Sequence, residues 1–331
     1  MTESRSIASD RAAVDLRGYA GEVFQALGTV IGLERIHRDY PLALLTTLRV
    51  GGPAEWFVDV RGEQELIGVL CAAESIGLEV TMLGGGSNVL VSDAGVRGLV
   101  VRARHGTMTR TSVGHVRVSA GLTLNEAIRW MIRRGLGGLE AWAGTPGTVG
   151  GAVYGDAHFG GRVISELITS VAIAEKNGRT SVVPREAIKF GSENNPFERN
   201  NEVIQWVEFS VVEEASCALR AEARASLSFR KKTQPLNMPS AGCAFRNPEG
   251  TSNNRSFGVP CSAGALIDGT GLKGQSYGGA RVSERHGNFI VTRPDALASD
   301  VLALIKLCRK EVASRYDIVL VPEIVFLGEF S

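Results

Sequence analysis

Cys243 lies in Pro239-Ser-Ala-Gly-Cys-Ala-Phe-Arg-Asn-Pro248, a stretch of small and polar residues bracketed by two prolines. Two chemistries are open to it. A core cysteine has apolar neighbours, as Cys71 and Cys308 do, and those two read as packing residues. A thiol between Gly242 and Ala244 can instead donate a proton to a reacting carbon, because an unperturbed pKa of about 8.5 leaves it mostly protonated at neutral pH. Glu323 poses a similar choice. It stands in the otherwise apolar run Leu320-Val-Pro-Glu-Ile-Val-Phe-Leu-Gly328, so it is either exposed on a strand edge or aimed into a site. Cys217 and Cys261 have no comparable setting and read as packing residues. His286 reads as a hydrogen-bonded structural histidine, and His158, in a Gly-rich turn, is given no role.

Glycine is abundant, at 40 residues, and it clusters. Leu83-Gly-Gly-Gly-Ser-Asn-Val-Leu-Val91 places Gly84, Gly85, Gly86, Ser87 and Asn88 directly after an apolar run. Successive N–H groups in such a turn can form a nest for a phosphate, with the Ser87 hydroxyl and Asn88 amide adding hydrogen bonds. The alternative is a tight turn that needs positive φ. Ala143-Gly-Thr-Pro-Gly-Thr-Val-Gly-Gly-Ala-Val153 is a second such segment, with Gly144, Thr145, Pro146, Gly147, Thr148, Gly150 and Gly151. Neither segment fits GxGxxG or GxxxxGK[ST], which disfavours a Rossmann dinucleotide site and a P-loop. Two glycine-rich segments in one domain point to a long, diphosphate-containing ligand held mainly by backbone.

The flanking patterns say which elements carry these residues. Apolar spacing predicts a helix over Glu65–Ile76, then strands at Leu78–Leu83, Val89–Val91 and Leu99–Val101. Thr123 and Glu126 form a capping box for a helix ending at Arg134, with Gly135 as its stop. Asn177-Gly178 between Leu167–Ala174 and Arg179–Val183 is a hairpin signal, and Val203–Val212 reads as a strand. Composition shifts near residue 215. Glu214–Arg230 reads as a helix, the proline-bracketed stretch as a loop, Ser299–Arg315 as a helix and Ile318–Leu327 as a strand interrupted at Pro322-Glu323. The expected organisation is a loose or amphipathic lead-in over residues 1–38, a first domain over 39–214 and a second over 215–331.

Whole-chain properties bound the function. At 331 residues, two or three domains are expected. A net charge of +1 supplies no general pull toward nucleic acid or an anionic membrane. No apolar run is long enough for a membrane span, and the mixed-charge N-terminus lacks the apolar core of a signal peptide, so a cytoplasmic protein is expected. Five cysteines without a CxxC spacing and five scattered histidines argue against a disulfide framework and a metal site.

Several segments together resemble one family. TTLRVGGPAEWFV (Thr46–Val58), LGGGSNVLV and GLEAWAGTPGTVGGAV (Gly138–Val153) look like FAD-binding signatures of UDP-N-acetylenolpyruvoylglucosamine reductase, also called UDP-N-acetylmuramate dehydrogenase (MurB). TQPLNMPSAGCAFRNP, AGALIDGTGLKGQSYGGARVSERHGNFIV and the terminal PEIVFLGE look like its substrate domain. The resemblance runs from Thr46 to Gly328 in order, to the shorter subtype that lacks a tyrosine-bearing insertion.

The resemblance implies an α+β fold: a vanillyl-alcohol-oxidase-like FAD-binding domain followed by a smaller α+β substrate-binding domain, whose last strand returns to the active site. It implies FAD on the two glycine-rich segments and NADPH visiting transiently. It also implies reduction of the enolpyruvyl ether of a UDP-sugar to UDP-N-acetylmuramate for peptidoglycan synthesis, with no obligatory protein partner. By the same resemblance Cys243 is the proton donor, Glu323 assists at the flavin–substrate contact, and Asn247, Asn288 and Lys232 bind substrate. Two places depart: Asp156-Ala-His-Phe-Gly160 is one residue shorter than the family segment, and the second reverses a charge. Phe190-Gly-Ser-Glu-Asn-Asn-Pro-Phe197 puts Glu193 where the family carries an arginine that holds the substrate carboxylate. That reversal opens alternatives: another cation, Arg199 or Arg246, takes over; the substrate differs; or the chain binds FAD or a UDP-sugar without turnover.

Overall fold

The computed structural model describes residues 18–104, 106–190, 197, 202–248 and 262–330. A sheet of four strands opens the first domain, in the order Ile36–Pro41, Pro53–Val60, Val96–Ala103, Val80–Leu83. The last three run parallel and the first antiparallel. Parallel neighbours need a crossover, and Glu63–Ser75 supplies one, burying Leu66, Val69, Leu70 and Ala73 against Trp56, Val58 and Leu99. Residues 18–31 form a helix that places Val23, Leu27 and Ile31 in this same core. The described part of the expected lead-in is thus packed into the first domain, and the strand Ile36–Pro41 crosses the expected boundary at residue 38.

Five antiparallel strands make the second sheet, in the order Thr180–Pro184, Ile168–Ala174, Val203–Ser210, His115–Ser119, Met108–Ser112. Asn177-Gly178 turns the hairpin as its type predicts, with Gly178 at φ 81. The helix Leu124–Arg133 has the predicted capping box, and it buries Leu124, Ala127, Ile128, Met131 and Ile132 on the sheet. The helix Ser216–Thr233 buries Leu219 and Ala223 in this same core. The composition shift at residue 215 therefore marks the start of a helix, while by packing the first domain runs through that helix.

The remaining chain forms a smaller antiparallel sheet, ordered Ser240–Cys243, Phe289–Thr292, Ala280–Val282, Ser276–Tyr277. The helices Ala263–Gly269 and Ala298–Tyr316 cover it, with Val301, Leu304, Ile305, Cys308 and Val312 inward. Two corrections follow. The proline-bracketed stretch is a strand over Ser240–Cys243, broken by a register shift at Gly242, whose φ is 78. Small residues there carry little strand signal, and the β-rich Phe289–Thr292 partner recruits them. The terminal strand is confined to Val325–Leu327. Pro322 has no N–H for a ladder, and residues 321–323 pair instead with the chain around Ala244–Arg246.

The two domains are joined by more than the chain. Val325–Leu327 pairs in parallel with Val89–Val91. Asp93 accepts hydrogen bonds from the Ala298 and Ser299 N–H groups at 2.7 and 2.9 Å, which caps the long helix from the other domain. Leu48, Val50 and Leu90 of the first domain complete the core of the second.

Arg35 ties the N-terminal elements to the crossover helix. Its guanidinium donates to both Glu65 carboxylate oxygens, at 2.8 and 2.7 Å. That bond, helped by the Arg61 N–H, holds the Glu65 pKa down from 4.5 to about 2. The folded pKa lies below the unfolded one, so the stabilisation is complete above 4.5 and is lost as pH falls toward 2. Solvent screens the pair, which limits it to about 1 kcal/mol. Urea unfolding of the protein and its Glu65→Gln variant should differ by that amount at neutral pH. The difference should narrow as pH falls from 4.5 toward 2.

Candidate functional site

The first glycine-rich segment leaves the sheet at Leu83 and re-enters β structure at Val89. Between them the chain passes within contact of two backbones. A Cβ on Gly85 would stand 2.6 Å from the Gly147 Cα, and one on Gly86 would overlap the Leu45 carbonyl. Thr47 fixes the turn from outside, donating its N–H to the Gly86 carbonyl at 2.9 Å. The Ser87 hydroxyl donates across to the Pro146 carbonyl at 3.2 Å, so the two glycine-rich segments form one body. The N–H groups of Gly85, Gly86 and Ser87 meet no acceptor among the described residues.

The second segment follows a 3-10 turn at Glu140–Trp142 rather than a strand, and from Val149 it is a short helix with Thr148 as N-cap. Asn125 braces its start, accepting from the Gly144 N–H and donating to the Thr145 carbonyl, both at 2.8 Å. Sequence reading missed Asn125. Its only signal was a polar side chain in the first turn of a helix whose cap had been recognised.

Between the segments runs a cavity of about 410 Å³, lined by Gly84–Asn88, Gly150, Gly151 and Tyr154, with Val325 on one wall. A second, of about 240 Å³, shares Gly84, Gly85 and Thr148 and carries Arg102 and Arg104. Side chains are absent where the walls come closest, and backbone donors stay unbonded there. These residues fit a diphosphate-bridged group such as FAD.

Cys243 and Glu323 come together where the domains meet. The Glu323 N–H donates to the Ala244 carbonyl at 2.9 Å, and its carbonyl accepts from the Asn88 amide at 3.0 Å. One residue therefore touches both the thiol's strand and the first glycine-rich segment. Burial pushes the Cys243 thiol up to about 12, helped by the Glu323 carboxylate, against an opposing pull from Arg230 and a hydrogen bond from Asn288. Burial likewise raises Glu323, with His158 and Arg246 drawing it down. Its Oε2 is buried and has no hydrogen-bond partner among the described residues. The Cys243 thiol is half-buried among charged groups and holds its proton at neutral pH, as the fully buried Cys308 also does.

Asn288 lies behind the thiol and bonds it. Its side chain is buried and clips the strand that carries the thiol, accepting from the Phe245 N–H at 2.9 Å and donating to the Phe245 carbonyl at 2.7 Å. Asn247 accepts from the Ala263 N–H at 3.0 Å, at the start of a helix. Lys232 is exposed near the end of the helix Ser216–Thr233. His286 accepts from the Asn288 N–H at 3.2 Å, and burial lowers its pKa, as a neutral structural histidine requires. Cys71 and Cys217, read as packing residues, are exposed: each lies on the outward side of its helix. Glu193, Arg199 and Cys261 lie outside the described residues.

Arg230 went unread in the sequence, where it looked like part of a basic helix end. It is 6 % exposed, donates to the Thr145 hydroxyl at 2.6 Å, and stacks with its guanidinium carbon 3.8 Å from the Phe159 ring centre. Burial lowers its pKa to about 10, so it remains a cation at neutral pH.

The comparisons with known proteins agree with this architecture. Residues 54–183 match the model of an FAD binding domain. Residues 234–327 match that of the UDP-N-acetylenolpyruvoylglucosamine reductase C-terminal domain. A protein of Synechococcus sp. (strain JA-3-3Ab) named UDP-N-acetylenolpyruvoylglucosamine reductase is 37% identical, covering 90% of this chain and 93% of that one. The protein of that name from Moorella thermoacetica is 37% identical over 96% of this chain and 99% of its own length. The crystal structure of MurB from Thermus caldophilus superposes with a TM-score of 0.73 at 32% identity, covering 89% of this chain and 99% of that one. The fold is an FAD-binding domain followed by a smaller α+β domain, which defines the class of protein. Within that class, the chain belongs to the UDP-N-acetylenolpyruvoylglucosamine reductase family. Among the described residues, no helix is long and apolar enough to cross a membrane, and no cluster of His, Cys, Asp or Glu could hold a metal ion.

Two outcomes test this site. Gly85→Ala should drive the two segments apart and cut flavin content in the purified protein, while circular dichroism stays native. Full flavin loading would refute the cradle. In a Cys71→Ser/Cys217→Ser background, alkylation of Cys243 at pH 8 should be on the order of 10³-fold slower than for an ordinary exposed thiol, and should accelerate with pH toward 12. Peptide mass mapping reads the rate.

Proposed function

We propose that the protein is an FAD-dependent, NADPH-linked reductase that converts the enolpyruvyl ether of UDP-N-acetylglucosamine-enolpyruvate to UDP-N-acetylmuramate in peptidoglycan precursor synthesis. The observation that carries the reading is a proton-bearing thiol beside a buried carboxylate, at the junction of a glycine-lined cavity and the second domain, in a chain of this family.

Gly84–Asn88 and Gly144–Gly151 would hold the FAD diphosphate through backbone N–H groups. FAD, when bound, accepts hydride from NADPH and yields it to the vinyl carbon of the substrate. The chain's own residues do the rest. Hydride addition to the double bond leaves electron density on the adjacent carbon and its carboxylate. Cys243 Sγ–H delivers the proton to that carbon, so one hydride and one proton together saturate the bond. The thiolate left behind recovers its proton from solvent. A half-buried thiol with a high pKa suits this step, because it keeps its proton until a strongly basic carbon appears. Glu323 shapes the charge around the thiol and closes the flavin side through Asn88. Asn288 holds the thiol's strand in register. Asn247 and Lys232 are proposed contacts for the UDP-sugar at the rim.

Anaerobic half-reactions test the reading. NADPH should bleach the bound flavin, and the enolpyruvyl sugar should restore its colour. Cys243→Ala should leave the first step nearly intact and slow the second by about 10²- to 10⁴-fold. Cys243→Ser should keep part of the rate with an altered pH profile. Reduced flavin that the enolpyruvyl sugar does not reoxidise would overturn the assignment, and equal loss in both steps would make Cys243 structural.

A further inference from the structure

Arg230 is a buried cation without a matching anion. It is 6 % exposed and takes part in no ion pair among the described residues. Its Nε is buried and makes no hydrogen bond. Its guanidinium is held in place all the same. One terminal nitrogen bonds the Thr145 hydroxyl at 2.6 Å, and the Phe159 ring lies against its face at 3.8 Å. A rigid, desolvated guanidinium with an unused donor is costly unless an anion completes it. Among the described residues none does so: its neighbours there are the Thr145 hydroxyl, the Phe159 ring and the Cys243 thiol, which carries its proton. A ligand can supply the completing anion.

We propose that Arg230 is the binding residue for the substrate carboxylate, received between Thr145 and Cys243. The assignment rests on the reading of the site given above and names the cation within it. The chemistry favours a carboxylate over a phosphate. The cation acts electrostatically on the proton donor, and the group next to a carbon that is about to be protonated is the carboxylate into which its charge delocalises. A guanidinium meets the planar two-oxygen edge of that group, strengthening as charge grows there. Arg246 and Arg199 had been the candidate cations. Arg246 is exposed and faces Glu323, so it lacks the desolvated setting that makes such a contact strong.

The experiment compares two ligands on the oxidised, FAD-loaded protein without NADPH: UDP-N-acetylglucosamine-enolpyruvate, and UDP-N-acetylglucosamine, which lacks the carboxylate. The protein should prefer the first. Arg230→Gln should reduce that preference by about 10- to 100-fold, with affinity for UDP-N-acetylglucosamine and the rate of flavin reduction by NADPH little changed. Arg230→Lys, which keeps the charge but loses the two-donor edge, should retain part of the preference. It decides the matter by the same readout where the glutamine variant fails to load FAD. An unchanged preference in both variants overturns the assignment. Equal weakening of both ligands does so too, since it makes Arg230 structural. So does slowed flavin reduction with the preference intact, which would mean that the cation serves the reduced flavin. If the unaltered protein binds neither ligand, the substrate reading itself falls and this assignment with it.

Discussion

The site depends on seven residues near the C-terminus. The segment from Val321 to Leu327 bonds on one side to the strand that carries the thiol, through the Val321 and Ala244 carbonyls and the Arg246 and Glu323 N–H groups. On the other side it bonds to Asn88 and continues Val89–Val91 as a parallel neighbour. Because the two ladders share one chain, the distance between the thiol and the glycine-lined cavity is set by backbone geometry. Side-chain rotamers do not set it. Pro322 matters here by what it lacks: without an N–H it cannot extend either ladder, and the chain changes partner at that point.

That clamp brings acidic and cationic groups out of water together. Burial raises the pKa of both Cys243 and Glu323; the buried Arg230 pulls the thiol down, and the exposed His158 and Arg246 pull the carboxylate down. The buried Glu323 Oε2 and Arg230 Nε have no protein partners among the described residues, although most buried polar atoms find one. Both of these side chains act on the Cys243 thiol. The stability forgone there is recovered elsewhere, in apolar cores that continue from one domain into the next through Leu48, Val50 and Leu90.

Much of this was legible in the residues. The capping box at Thr123–Glu126, the Asn177-Gly178 turn and the apolar face of Ala298–Tyr316 were read correctly because each is a local signal, decided within a few residues. Cys243 and the first glycine-rich segment stood out because their composition conflicts with ordinary packing. What local pattern could not reveal was pairing at a distance. Ser240–Cys243 becomes a strand only because Phe289–Thr292 lies beside it. The helix Ser216–Thr233 looked like the start of a new domain and instead packs on the old one. Arg230 looked like one of three basic residues at a helix end, and only the fold shows that it alone turns inward while Lys231 and Lys232 stay in water.

Asn288 shows why the distinction matters for reading sites from sequence. The family resemblance implies a contact with substrate; in the fold both ends of its amide meet one backbone residue, Phe245, and the side chain also bonds the Cys243 thiol. A buried amide that satisfies a strand edge in this way can be as indispensable as a ligand contact, because its loss strands an N–H and a carbonyl inside the protein at a cost of roughly 1–3 kcal/mol. Its effect on chemistry would pass through the position of the thiol. The same reasoning separates Thr145 from Thr148 in the second glycine-rich segment. Thr148 caps a helix and serves the fold. Thr145 holds the guanidinium and so links the flavin segment to the anion it would receive. In sequence the two threonines look alike, three positions apart; in the fold one hydroxyl caps a helix at the cavity wall and the other holds a buried guanidinium.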